Sequence, residues 1–127
     1  MTTAATEDRI AWTVEIPDWT PPPLNKLMRM HWGVAARHKR AVYGLIDVML
    51  WKHRVPRAEG RRRVSVAVTV AGRSGIPDAD GILKLLLDGL VRCGALVDDS
   101  AKWCELGAVT VDRGPARSTR ITLEDIP

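Results

Sequence analysis

Residues 79–93, ADGILKLLLDGLVRC, constrain the fold more than any other stretch of the chain. Ile82, Leu83, Leu86, Leu87, Leu90 and Cys93 recur at the three- and four-residue spacing that gathers side chains on one face of an α-helix. Gly94 follows where a helix commonly closes in the left-handed conformation. Such a helix has to bury its apolar face. The stretch VSVAVTV (64–70) offers the matching surface, since Val64, Val66, Val68 and Val70 alternate onto one side of a β-strand. A strand feeding a helix in this way points to an α/β arrangement.

The remaining elements extend that pattern. AWTVEIP (11–17) predicts a first strand ended by Pro17. PDWTPPPLNKLMRMHWG is expected to be an ordered loop, because three successive prolines remove backbone donors and fix φ. From about Val34 to His53 the residues Val42, Leu45, Ile46 and Met49 recur with helical period, while Arg37, Arg40, Asp47 and Arg54 take the other face. WCELGAVTVDRG and ARSTRITLED predict two strands joined at DRGPAR. The expected order is β-α-β-α-β-β, a single α/β (α+β) domain with a small mixed sheet packed by two main helices. Residues 1–10 are expected to be a flexible N-terminus and 11–127 the folded domain. With 127 residues the chain can bury a moderate core. No stretch has the roughly 18 consecutive apolar residues of a membrane span, and MTTAATEDRI lacks the basic and then apolar pattern of a secretion signal. Cys93 and Cys104 fit neither a disulfide framework nor a zinc motif. The expectation is a reducing, cytoplasmic setting with both thiols free.

Charge is distributed unevenly. Residues 26–63 hold eleven Lys or Arg against Asp47 and Glu59, although the whole chain is only +4. A basic surface of this kind suits a phosphate backbone. The acids concentrate elsewhere, at Asp78, Asp80, Asp88, Asp98 and Asp99. Asp80, Lys84, Asp88 and Arg92 follow one another at intervals of four, which by itself can support a helix through alternating ion pairs. Asp78 and Asp80 fit that account less well. In a helix they would point apart, but with Asp78 still extended after Pro77 they could face the same side. Two such carboxylates repel unless a cation lies between them, and a hard divalent ion is the usual solution. The competing account is a capping Asp78 followed by a first-turn acid at Asp80. Asp98–Asp99 can be a plain turn, or can return one acid toward the helix. Residues 82, 83 and 89 (Ile, Leu, Gly) exclude a calcium loop of the EF-hand type counted from Asp78.

At these residues the chain resembles the RusA family of Holliday junction resolvases, which are small homodimeric, magnesium-dependent endonucleases of phages and prophages. The shared pattern is D-x-D-N-x-x-K-x(3)-D-x-L, then a glycine and D-D. Here it reads Asp78, Asp80, Lys84, Asp88, Leu90, Gly94, Asp98 and Asp99 without insertion or deletion. PPLNKLMRMH adds the family's paired prolines, Asn25 and His31. The likeness spans about residues 12–125. Gly81 departs from it, standing where the family usually has Asn.

The resemblance implies that Asp78, Asp80 and Asp99 hold Mg2+, with Mn2+ able to substitute, and that Lys84 is essential for cleavage. It makes Asp98 and Asp88 supporting residues. The expected activity is hydrolysis of phosphodiesters at four-way DNA junctions in recombination and repair, by a homodimer in the cytoplasm of a bacterial or phage-infected cell. The expected contacts to DNA are Asn25, Lys26, Arg29, His31, Arg37, Lys39, Arg40, Arg61, Arg62, Arg63 and Arg73. Trp19, Trp32, Tyr43 and Trp51 are candidates for stacking on unpaired bases or for packing. Alternatives are a nuclease for flaps or forks, and a non-catalytic DNA-binding module that keeps the fold.

Overall fold

Valine alternation forms the middle of the sheet. The structure, a computed structural model, describes residues 10–72 and 75–127, apart from the side chains of Leu24 and Asn25. Within it β1 (Ala11–Pro17), β2 (Arg62–Ala71), β3 (Cys104–Gly114) and β4 (Ser118–Asp125) make one four-stranded sheet in the order β1-β4-β2-β3. Helices α1 (Leu24–Met28), α2 (Trp32–Lys52) and α3 (Ala79–Arg92) complete the chain. The expected small mixed α/β domain is what forms, with one helix more. Of the N-terminal segment expected to be flexible, residues 1–9 lie outside the described residues.

The additional helix is α1, inside the stretch expected to be a loop. Pro23, with its φ of −63°, offers its carbonyl to the N–H groups of Lys26 and Leu27 at 3.1 and 3.3 Å. A proline ahead of a first turn therefore starts this helix rather than breaking it. Leu27, 1% exposed, fixes the turn against the core.

β2 and β3 run parallel, and α3 supplies the crossover that parallel strands require. β4 pairs antiparallel with both β1 and β2, so β3 and β4 are not neighbours although they follow each other in sequence. Residues 115–117 step over the end of β2, from Gly114 beside Ala71 to Ser118 beside Thr69. On β3 both Gly107 and Ala108 fall opposite Ser65, an extra residue that shifts the register. That shift keeps Val109 and Val111 on the same side as Cys104, packed on the core; without it they would turn to the other face.

Apolar residues fill the helix-covered face. Val14, Ile16, Val64, Val66, Val68, Ile121 and Leu123 of the sheet meet Val42 and Ile46 of α2 and Ile82, Leu85, Leu86 and Leu90 of α3. On the other face ion pairs cross between strands: Arg63 pairs with Glu105 and with Glu124, and Arg120 with Glu15.

Arg62 is the exception on the apolar side. It is 2% exposed, and its guanidinium donates to Asp125 Oδ1 at 2.8 Å and to the carbonyls of Pro56 and Ala95 at 3.0 and 2.9 Å. Its plane lies 4.7 Å from the centre of the Trp12 ring. Expected as a DNA contact, Arg62 is instead an internal tie: a guanidinium that is buried and bonded to three internal acceptors cannot reach a phosphate.

Gly89 sets how closely the helices approach. A Cβ there would lie 2.5 Å from Ile46 Cδ1 and 3.2 Å from Tyr43 Cδ1. Gly89→Ala should therefore destabilise the fold by about 1–3 kcal/mol, although alanine favours helix, because the buried Ile46 side chain or α2 itself has to shift. Arg62→Ala should cost about 3 kcal/mol by stranding two carbonyls and a carboxylate. Urea midpoints of both variants against wild type check these values.

Candidate active site

Pro77 disfavours helix at the residue before it, and the chain is still extended at Asp78, whose φ is −67° and ψ 125°. Asp78 stands at the helix start, yet its side chain makes no capping hydrogen bond. Asp78 thus occupies the capping position that the competing account gives it, but without the capping bond, and the residue is exposed. Asp80 is the acid of the first helical turn, where the positive end of the helix favours a negative charge. Lys84 lies one turn on and is exposed. Among the described residues no ion pair links Asp80, Lys84, Asp88 and Arg92, so the alternating stripe does not neutralise itself.

Further along α3 the acids meet the basic helix. A cleft of about 670 Å3 is lined by Ala36, Lys39, Arg40 and Tyr43 from α2, by Asp88, Val91 and Arg92 from α3, and by Asp98 and Asp99 from the loop that follows. That loop is firmly placed. Gly94 closes α3 with φ of 83°, its carbonyl accepts from Ala58 N–H at 2.8 Å, and Ala95 N–H donates to Leu90 O at 2.9 Å. Val91, an apolar residue on the polar side of α3 beside Asp88 and Arg92, lies in the cleft wall.

Tyr43 and Arg92 form one side of the cleft, the guanidinium 5.0 Å from the ring centre. Burial raises the Tyr43 pKa and Asp88 raises it further, while Arg92 opposes both. Burial also raises both thiols, with added repulsion from Asp47 at Cys93 and from Asp99 at Cys104. Both cysteines are free.

The expected site residues thus separate into two groups. Asp78, Asp80 and Lys84 lie at the N-terminal end of α3; Asp88, Asp98 and Asp99 lie beside Lys39 and Arg40. Eight residues of helix put Asp88 about 12 Å along the axis from Asp80. Among the described residues no three His, Cys, Asp or Glu side chains are grouped to hold a metal ion, so Asp78, Asp80 and Asp99 do not form a closed cage. The donor chemistry nevertheless fits magnesium. This ion prefers carboxylate oxygens, keeps several waters, and is commonly held by one or two carboxylates together with a substrate phosphate.

Lys26, Arg29, Arg37 and Arg40 are exposed, and Lys39 is half-buried in the cleft wall. His31 caps α2, its Nδ1 accepting from Gly33 N–H at 3.2 Å. Arg61 and Arg63 share Glu105, and Arg63 also holds Glu124. Arg73 and the Asn25 side chain lie outside the described residues. Trp32 and Trp51 are exposed, whereas Trp19 and Tyr43 pack partly against the core. The reading of the sequence did not single out Gly89 or the partnership of Tyr43 with Arg92. A glycine inside a strongly helical pattern was the available signal for the first; nothing local marks the second. No helix among the described residues is long and apolar enough to cross a membrane. Compared with models of known protein families and with curated protein sequences, the chain matches none.

The chain has a single tyrosine, so its titration reports on the cleft alone. Asp88→Asn should lower the Tyr43 pKa and Arg92→Ala should raise it. Tyrosinate absorbance against pH checks both directions, and unchanged titration in both variants would contradict this arrangement.

Proposed function

We propose that this chain is a magnesium-dependent, structure-specific endonuclease that resolves four-way DNA junctions, as its resemblance to the RusA family implies. The observation that carries the reading is the Asp78 carboxylate. It stands at a helix start, where capping is its ordinary use, and is not spent on capping. It therefore remains available, two residues from Asp80, which itself precedes Lys84 by one helical turn. Asp78 and Asp80 would hold the ion, with Asp99 the third ligand that the resemblance implies.

When bound, the metal supplies charge neutralisation at the phosphate and a more acidic water. The remaining work belongs to the chain. Lys84 presents an ammonium beside the acids, able to orient a water or offset charge gathering on the phosphate. Lys26, Arg29, Arg37, Lys39 and Arg40 hold the backbone through its phosphates, which positions DNA without reading its sequence. Symmetric incision of a four-way junction needs two such sites, and a C2 homodimer supplies them economically. The proposed setting is the cytoplasm of a bacterial or phage-infected cell.

A second reading is a DNA-binding module without catalysis. The ungrouped acids and Gly81 in place of the family's Asn favour it. Asp80→Asn separates the two. Under the nuclease reading it lowers junction cleavage in magnesium by more than about 10²-fold while junction affinity stays within about twofold. Wild-type protein that binds junctions but cuts none in magnesium or manganese would establish the second reading instead. Comparing four-way, forked and linear substrates identifies the preferred structure.

A further inference from the structure

Ahead of the cleft, on the same side of α2, the surface becomes apolar and stays cationic. A recess of about 290 Å3 is lined by Leu27, Met28, Met30, Trp32 and Ala35, and its only charged lining residue is Lys39. Trp32 is 80% exposed and Met28 76%. Indole and thioether side chains of that exposure form an apolar patch of the kind that marks an interaction site. The His31 ring stands 5.4 Å from the Trp32 ring, and His31 is itself fixed as the cap of α2, so the indole projects from a held backbone. Lys39 and Ala36 line both the recess and the larger cleft, which makes the two surfaces continuous.

Charge identifies the occupant. From Trp19 to Ile46 the chain contains no carboxylate, while Lys26, Arg29, Arg37, Lys39 and Arg40 all lie within it. A neutral apolar partner would have no use for this field, and a cationic one would be repelled. The fitting ligand has a flat π face joined to an anion. Trp32 and Lys39 are seven residues apart on one face of α2, about 10 Å along the axis, a span that lets a base lie on the indole while a nearby phosphate meets the ammonium.

We infer that the recess around Trp32 is a stacking platform for an unpaired nucleobase of DNA, with Lys39 holding an adjoining phosphate. Bases inside a continuous duplex have no free face, so the platform selects DNA that is opened, as at a branch point. This rests on the DNA-binding part of the proposed function and not on cleavage. Stacking on an aromatic side chain is sequence-tolerant, because every base has a π face. The platform therefore favours structure over sequence.

The test uses the full chain with EDTA present, so that nothing is cut. The probes are a four-way junction carrying 2-aminopurine at the branch point, a fully paired duplex of equal length, and single-stranded oligothymidine. Trp32→Ala should weaken binding of the junction and the single strand roughly tenfold, leave duplex binding within about twofold, and abolish the change in 2-aminopurine fluorescence. Trp32→Phe should recover most of the loss. Equal weakening on all three probes, or none, overturns the platform. So does a shift of the alanine variant to a smaller sedimenting species, which would make the patch a contact between copies of the chain. Wild-type protein that binds single strands through Trp32 yet never cuts junctions in magnesium removes the nuclease reading and leaves the platform standing; wild-type protein that binds no DNA removes the platform.

Discussion

The arrangement depends on one buried guanidinium. Arg62 sits at the start of β2 and joins four other parts of the chain: the strand-end acid Asp125, the carbonyl of Pro56 after α2, the carbonyl of Ala95 after α3, and the Trp12 ring of β1. A charge that is 2% exposed is costly to desolvate. It is tolerated because a planar fork reaches acceptors in several fixed directions at once. Two of the acceptors are carbonyls in the loops just past α2 and α3, groups that no helix or sheet pairs. One side chain thus closes the gap between secondary structure and tertiary fold. Through Ala95 it also fixes the loop whose next polar residues are Asp98 and Asp99.

Gly89 makes the complementary contribution on the other side of that loop. By omitting a side chain it lets α3 approach Ile46 and Tyr43 of α2. Tight contact there places Lys39 and Arg40 across from Asp88. The cleft therefore arises from two features of opposite kind, a polar tie at one end of α3 and a missing methyl in its middle.

Much of this fold was legible because periodicity reports burial directly. The alternating valines of β2, the apolar stripe of α3 and the left-handed Gly94 each leave a local signature, and each element lies close to where its pattern predicts. What escaped depends on partners distant in sequence. The valine alternation of β2, carried back two residues, puts Arg62 on the core face, but a charge is tolerated there only with partners such as Asp125, sixty-three positions away, so Arg62 read as one more surface cation. Proline chemistry misled at α1, since a proline run that forbids a helix interior can still lead into a first turn. At the site, Pro77 marked the boundary at which Asp78 is still extended. The eight-residue interval from Asp80 to Asp88 already sets them apart on a helix, whereas the place of Asp98 and Asp99 beside Lys39 and Arg40 depends on the path of the chain after α3. A motif fixes intervals along the chain, and the rigid rise of the helix then places its two ends apart.

The distribution of paired and unpaired charge narrows where an anionic polymer can bind. On the open face of the sheet Arg63 and Arg120 are each held by glutamates, so those cations contribute little outward field. In the cleft, Lys39, Arg40 and Arg92 face Asp88, Asp98 and Asp99, three charges of each sign. Such a cleft is close to neutral and exerts little net pull on a phosphate. Lys26, Arg29 and Arg37 of the acid-free segment from Trp19 to Ile46 lie outside that balance, in the segment that carries the exposed indole of Trp32. Under the proposed function a nucleic-acid backbone would be drawn first to the Trp32 end of α2, and the charge-balanced cleft would add little to that attraction.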